Sequence, residues 1–389
     1  MSSEPAEQAA VQRNQQEWKQ VRRYLNEHRL ELTQASVQLY PGAARAGSTL
    51  LMTAPAWLLP IPVALDDVHL EWHASPSEAA VSGREPESEG VRPLRFREQR
   101  FETYAEAIAT LDRPRLFEDR AAYRIVEVDL AGTGRLGFGH GSYFDVINIS
   151  EAVALEFAGE WLVQGDLARM RLPFRSLIDD PFDLKRRPLS VAISALTLRR
   201  DTASRSASFV MHWRDPQRVA SGGGLYQVMP VGIFQPTSDT SWDEVNDFDL
   251  WRSLVREFSE EFLGAPERKG DAGKALRYEA WPFFKAMSQA RREGALRIFC
   301  FGLGIDPLTL VADILMAVVL DGEAFDELLG TIVTANEEGR VITAGGVDRH
   351  GIPFTEESIS TFLAGKPMQP AGSAAIALAW QNRGLLLGD

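Results

Sequence analysis

Three carboxylates crowd one short stretch of the chain, "REFSEEFLG" at positions 256–264. Glu257, Glu260 and Glu261 would share one face of a helix, because residues three and four apart are neighbours there. Like charges at this spacing destabilise a helix by roughly 0.2–0.5 kcal/mol per pair. Mg²⁺ prefers oxygen ligands, and its binding would relieve the repulsion. The spacing therefore indicates a candidate metal site.

The residues around these glutamates predict an amphipathic helix. Asp247 or Asp249 is a candidate N-cap, and Gly264 followed by Pro266 ends the pattern. At 100° per residue, the glutamates lie opposite an apolar side, with Arg256 at their edge. That apolar side is formed by Trp251, Leu254, Val255, Phe258 and Phe262. A solvated acidic surface is the alternative interpretation, although solvated faces usually mix charges of both signs.

The same stretch resembles a known signature. "REFSEE" is similar to the core of the Nudix box, G-x5-E-x7-R-E-U-x-E-E-x-G-U, in which U is a bulky apolar residue. "VMPVG" at 228–232 resembles the Pro-Gly-Gly turn that opens the box, so Gly232 is the candidate first glycine and cofactor-binding residue. "HWRDP" resembles the end of an early strand that often carries an arginine in this family. The resemblance covers roughly residues 190–389.

The chain departs from the family pattern in three places. The segment between Gly232 and Arg256 is about ten residues longer than the consensus. The consensus glutamate eight positions before the arginine falls on Phe248, whose neighbours Asp247 and Asp249 are carboxylates of open role. Gly264 stands one position later than expected. These departures are typical of a divergent family member.

The resemblance implies a Mg²⁺- or Mn²⁺-dependent hydrolase of a nucleoside diphosphate linked to another group. Glu257, Glu260 and Glu261 would be both the catalytic residues and the metal ligands, and Arg256 would orient a glutamate through a bidentate ion pair. A general base from a later loop would come from two acidic pairs, for which plain surface acids are the favoured alternative. These pairs are Glu337 with Glu338, and Glu356 with Glu357.

Composition limits the class of protein. The chain has 389 residues, a length that predicts two domains. Its net charge of −13 argues against nucleic acid as a partner. The longest apolar run, "LTLVADILMAVVL", is interrupted by Asp313 and suits a buried element better than a membrane span. The single cysteine, Cys300, lies in an apolar run and predicts a buried side chain in a reducing interior. The first residues lack the pattern of a signal peptide, so we expect a cytoplasmic protein.

The order of helical and strand-like segments predicts an α/β (α+β) fold. Residues 1–185 would form an N-terminal mixed α/β domain of unknown role, with a helix at 8–35 and a flexible loop at 74–90. Residues 186–389 would form a Nudix-like α/β/α sandwich, as the resemblance implies. Gly132, Gly134 and Gly137 match a dinucleotide-binding pattern, but the alternating residues that follow favour a hairpin.

Three functions remain open at this point. The first is hydrolysis of a nucleotide or nucleotide-sugar diphosphate. The second is a non-catalytic nucleotide sensor, which the missing glutamate and the long loop favour. The third is a structural adaptor. Nudix proteins are frequently dimers, so the resemblance also admits a homodimer.

Overall fold

The structure is a computed structural model that describes residues 4–75, 78–114, 117–214, 223–270, 273–330, 339–342 and 351–388. The α-helices, numbered in chain order, are α1 Glu4–Glu27, α2 Arg29–Ser36, α3 Tyr104–Leu111, α4 Leu130–Thr133, α5 Tyr143–Val146, α6 Ala152–Gln164, α7 Pro173–Ile178, α8 Ser241–Asn246, α9 Leu250–Glu257, α10 Pro282–Arg292, α11 Gly322–Leu329, α12 Glu356–Gly365, α13 Pro370–Gln381 and α14 Arg383–Leu387.

The strands are β1 Ala44–Arg45, β2 Met52–Thr53, β3 Leu58–Ala64, β4 His69–Trp72, β5 Leu94–Phe96, β6 Gln99–Arg100, β7 Ala121–Asp129, β8 Arg135–Ser142, β9 Val191–Asp201, β10 Ser206–Phe209, β11 Met211–Arg214, β12 Tyr226–Val228, β13 Val231–Ile233, β14 Leu296–Ile305, β15 Ala312–Asp321, β16 Gly339–Ile342 and β17 Ile352–Pro353.

The largest sheet has nine strands and is mixed. Its main path runs β1-β2-β14-β15-β9-β10-β17, with β3 paired to β14 and β13 paired to β9. Strands β9 and β15 are parallel, and the other pairs are antiparallel. Almost every residue of β14 and β15 is buried, as expected of central strands covered on both faces. The predicted buried strands in this region are confirmed.

Helices cover both faces of this sheet. One face packs against α9, α10 and the helices of the N-terminal half, through buried residues such as Ile193 and Ile314. The other face packs against α12 and α13, through residues such as Leu196 and Leu315. The predicted mixed α/β, α+β class is confirmed, with the sheet between two helical layers.

A second sheet, β4-β8-β7, belongs to the N-terminal half. Strands β7 and β8 form an antiparallel hairpin in which α4 and Gly134 make the turn. Gly134 has a positive φ of 71°, which a glycine adopts at little cost. The glycine-rich segment is therefore a hairpin, as its alternation predicts, and no helix opens at Gly137.

The two halves of the chain share the main sheet. Strands β1, β2 and β3 come from residues 44–64, and β2 and β3 pair directly with β14. Arg187, which is fully buried, donates hydrogen bonds to the carbonyl oxygens of Pro181 and Leu310, at 2.8 and 2.9 Å. The domain boundary between residues 185 and 186 stays a prediction. The main sheet and the hydrophobic core contain residues from both sides of this boundary.

Two other parts of the N-terminal half differ in detail from the prediction. The helix expected at 8–35 is broken at His28 into α1 and α2. The segment 74–90, expected to be a flexible loop, is anchored where the structure describes it. Its Ala80 and Val81 donate backbone hydrogen bonds to the carbonyl oxygens of Lys185 and Arg186, at 3.1 and 2.8 Å. Val81 is buried in the core, and the polar residues around it in the sequence gave no indication of this contact.

Cys300 lies on β14 and is completely buried. Burial raises the pKa of its thiol to about 12. The predicted role as a small buried side chain is confirmed. Within the described ranges, no helix is both long enough and apolar enough to cross a lipid bilayer.

Candidate functional site

The acidic helix consists of α9 and a π-helical turn, Phe258–Phe262, that continues it. The carboxylate of Asp249 accepts a hydrogen bond from the Arg252 backbone N–H at 3.0 Å, so Asp249 is the N-cap. At the other end, Gly264 has a φ of 63°, and the Ala265 N–H donates to the Ser259 carbonyl oxygen at 3.1 Å. The predicted start and end of this helix are confirmed.

The apolar side of the helix is buried in the core of the main sheet. Its members are Trp251, Leu254, Val255, Phe258 and Phe262. The opposite side is also largely covered, because Arg256 and Glu261 are only 4% and 6% exposed. Glu257 and Glu260 are half-buried. This burial argues against the alternative interpretation of a plain solvated surface.

Two of the three glutamates are directed at strand β13. The Glu261 carboxylate accepts a hydrogen bond from the Val231 backbone N–H at 3.1 Å. The Glu257 carboxyl group lies against Gly232, where a β-carbon on this glycine would overlap it. The segments "REFSEE" and "VMPVG", which the sequence analysis identified separately, therefore meet at Val231 and Gly232.

The helix closes with a π-helical turn directly before Gly264. A π turn closes its hydrogen bond one residue later than an α turn, so it accommodates one additional residue. Gly264 stands one position later than the family pattern, and the π-helix Phe258–Phe262 lies directly before it. The extra residue is absorbed without moving Glu257 out of α9. Single π turns of this kind are frequent at functional sites.

Arg256 connects the helix to the segment that follows β13. Its guanidinium donates a hydrogen bond to the Gln235 carbonyl oxygen at 2.7 Å. Burial opposes the charged form of Arg256, but Tyr278, Asp247 and the glutamates at 257 and 260 outweigh it, so its pKa is raised. Arg256 therefore fixes the loop that enters the site through a backbone carbonyl oxygen, and the bidentate ion pair with a glutamate stays a prediction.

Asp247 has a different role from the N-cap for which the sequence made it a candidate. Its carboxylate accepts from the Thr237 N–H at 2.8 Å and the Thr237 hydroxyl at 2.7 Å. It also accepts from the Tyr278 hydroxyl at 2.9 Å and the Asn246 amide at 3.0 Å. Because Asp247 is completely buried, these four hydrogen bonds hold the long loop against the helix. The sequence offered Asp247 as an alternative N-cap, a role that Asp249 takes, and as a neighbour of the expected consensus glutamate.

The donor set allows a test of whether a divalent ion fits here. Within the residues that the structure describes, no group of three His, Cys, Asp or Glu side chains is arranged to hold a metal ion. Mg²⁺, however, commonly keeps several waters and is held by one or two carboxylates together with substrate phosphates. Glu257 and Glu261 supply two carboxylates directed at one short strand. Two carboxylates match the number that such an ion takes from a protein, and metal binding by two or by all three glutamates stays a prediction.

Of the two later acidic pairs, the structure describes one, and it places that pair away from this helix. Glu356 and Glu357 form the first turn of α12, which packs on the opposite face of the main sheet. Glu337 and Glu338 lie outside the described residues. Neither pair therefore gains support as the general base.

A separate cleft lies away from the acidic helix. This cleft of about 660 Å³ is lined by residues of α1, of segment 86–93 and of α6. Glu156 lies in its wall, and burial raises the pKa of this side chain to about 7, although the backbone N–H groups of Phe174 and Arg175 oppose the rise. The cleft contains no residue of the acidic helix.

Comparisons with known proteins add no family assignment. No family model matches the chain, and its sequence matches no curated protein.

Proposed function

We propose that this chain is a Mg²⁺- or Mn²⁺-dependent hydrolase of a nucleoside-diphosphate-linked substrate, with a divergent Nudix-type site. One observation carries the proposal: Glu257 and Glu261 are both directed at the backbone of Val231 and Gly232. The resemblance at "REFSEE" and "VMPVG" indicated these two segments from sequence alone. A cytoplasmic location and a homodimer accompany the proposal as predictions.

Each residue of the site would have its own role in the proposed hydrolysis. Glu257 and Glu261 would hold the ion, with Glu260 as a further acidic neighbour. The ion would neutralise charge on the diphosphate and activate a water molecule. Arg256, bonded to the Gln235 carbonyl oxygen, would keep the helix and the entering loop in one geometry. Gly232 leaves room for the Glu257 carboxyl group, which a side chain at this position would displace.

A nucleotide sensor is the second candidate. Phe248 occupies the position of the consensus glutamate, and its ring packs against Trp72 and Tyr123 of the N-terminal half. A side chain used for packing supplies no ligand, which favours binding without turnover. The contacts of Phe248 also connect the site to the N-terminal sheet, so ligand binding could be transmitted to that sheet.

One experiment separates the two candidates. The purified chain is incubated with nucleotide sugars, dinucleoside polyphosphates, NAD and ADP-ribose, with and without Mg²⁺, and both products and melting temperature are recorded. A hydrolase forms product only with the metal and loses activity in Glu261→Gln. A sensor is stabilised by ligand without product, by about 2.7 kcal/mol at 100 times Kd. If no compound yields product and none stabilises the protein, both candidates are contradicted.

A further inference from the structure

We propose that the N-terminal sheet β4-β8-β7 positions the acidic helix through a cluster of five aromatic rings. The rings of Trp72, Tyr123 and Phe138 come from the sheet, and those of Phe234 and Phe248 come from the long loop before α9. The catalytic consequence of this inference rests on the proposed function. The mechanical part, that the sheet holds the helix in place, can be tested separately.

The rings interlock across the two halves of the chain. Phe234 and Phe248 stack, with centroids 5.9 Å apart and planes 27° apart. Tyr123 contacts both rings, with its centroid 4.5 Å from that of Phe234 and 5.1 Å from that of Phe248. Phe138 contacts both loop rings, at 5.3 and 5.7 Å. Trp72 meets Phe248 edge-on at 5.3 Å. Aromatic pairs in these geometries contribute beyond the area that they bury.

Hydrogen bonds from the same hairpin secure the loop backbone. The Tyr123 N–H donates to the Phe234 carbonyl oxygen at 3.2 Å, and the Tyr123 hydroxyl donates to the Glu244 carbonyl oxygen at 2.7 Å. The Ala121 N–H donates to the Asp239 carboxylate at 2.7 Å. Strand β7 therefore holds the segment before α9 at residues 234, 239 and 244.

The two loop rings stand at positions from which they control the site. Phe234 directly follows β13, which ends at Ile233 and contains Gly232. Phe248 directly precedes Asp249, the N-cap of α9. The rings thus fix both ends of the link between the two segments that meet at the site. A shift of about 1 Å in such a link can cost about 100-fold in rate.

Trp72 is the side chain best suited to a test. It lies on β4, outside the loop and the acidic helix, and its removal leaves the loop sequence intact. Trp380 is a matched control, because it is also half-buried and also meets a phenylalanine ring edge-on, Phe354 at 5.3 Å. Trp380 belongs to α13, on the opposite face of the main sheet.

The experiment compares Trp72→Ala with Trp380→Ala by amide hydrogen exchange in the full chain. We expect exchange across residues 250–262 to accelerate by about tenfold or more in Trp72→Ala but not in Trp380→Ala. Trp72→Phe should recover most of the protection. Where Trp72→Ala does not fold, Phe248→Leu replaces it in the same comparison. Equal exchange in the two alanine variants would overturn the inference.

Magnesium provides the second readout. In an active wild type, Trp72→Ala should raise the Mg²⁺ concentration for half-maximal rate several-fold, whereas Trp380→Ala should leave it unchanged. A wild type without turnover or Mg²⁺ uptake would remove the proposed function. The exchange result would still decide whether the sheet positions the helix, so the two failures are distinguishable.

Discussion

The Glu257 carboxyl group occupies the space in which a β-carbon of residue 232 would lie, and only a glycine leaves that space free. We therefore predict that Gly232→Ala displaces Glu257 from β13. Because the displaced carboxyl group is the far end of a flexible, half-buried side chain, the loss of stability should be small. The larger effect should be on Mg²⁺ affinity, measured by titration calorimetry, which should fall by about tenfold or more.

Gly42→Ala is the control for this substitution. A β-carbon on Gly42 meets no atom within 4 Å, and the backbone there does not require a positive φ. It should leave both stability and Mg²⁺ affinity unchanged. Wild-type Mg²⁺ affinity in Gly232→Ala would show that the position of Glu257 does not matter for the ion.

The three glutamates should differ in their effects when each is replaced by glutamine. Glu257 and Glu261 are directed at β13, while Glu257 and Glu260 both raise the pKa of Arg256, so Glu260 shares only the second of these roles. We expect Glu257→Gln and Glu261→Gln to weaken Mg²⁺ binding by about tenfold or more, and Glu260→Gln to weaken it less. Titration calorimetry on the three variants provides the ranking.

Glu293→Gln, an exposed substitution at the end of α10, serves as the control for charge alone. Equal losses in all three helix variants would favour a shared electrostatic effect over two specific ligands. No loss in any of them would remove the metal site.

Asp247 and Asp249 offer a matched pair of substitutions two residues apart. Asp247→Asn replaces one acceptor oxygen by a donor, although four donors surround the carboxylate. We predict a loss of about 2–4 kcal/mol in the free energy of unfolding, measured with denaturant, because hydrogen bonds to charged groups contribute about 1.5–3 kcal/mol each. Asp249→Asn should change the free energy of unfolding by only about a few tenths of a kcal/mol, since asparagine caps helices as well as aspartate does. The reverse order would contradict the assigned roles.

Local patterns in the sequence were sufficient for several elements. The amphipathic helix from Leu250 was predictable because its apolar spacing, its cap and Gly264 all agree. Strands β14 and β15 were predictable because long apolar runs of this kind are buried on both faces. The segment "VMPVG" pointed to a turn, and the structure places it against the acidic helix.

Other features depend on contacts that no local pattern records. The pairing of β3 with β14 joins residues about 240 positions apart, so the sequence suggested two separate halves. The direction of Glu261 depends on the π turn, which shifts the phase that a regular 100° projection assumes. The role of Phe248 was hidden because its partners Trp72 and Tyr123 lie far away in the chain.

A buried acid on the opposite face of the sheet leads to a prediction about pH. Asp313 lies on β15 and accepts a hydrogen bond from the Ser194 hydroxyl at 2.7 Å, and Gln227 approaches the same hydroxyl at 3.5 Å. Burial raises the pKa of Asp313 from 3.8 to about 7, although the bond from Ser194 opposes the rise. The folded state therefore holds a proton that the unfolded state has released across this range.

The sign follows from proton linkage. Between pH 4 and 7 the folded state binds more protons at Asp313, so the free energy of unfolding falls as the pH rises. A shift of this size corresponds to a fall of up to about 4 kcal/mol, complete by about pH 8. An asparagine side chain at this position would be neutral at every pH, and its carbonyl oxygen could still accept from Ser194. Asp313→Asn should accordingly match the wild type near pH 4 and exceed its stability at pH 8, measured by denaturant unfolding at both values. Parallel pH profiles for the two proteins would mean that Asp313 is charged throughout, with a partner that stabilises the carboxylate.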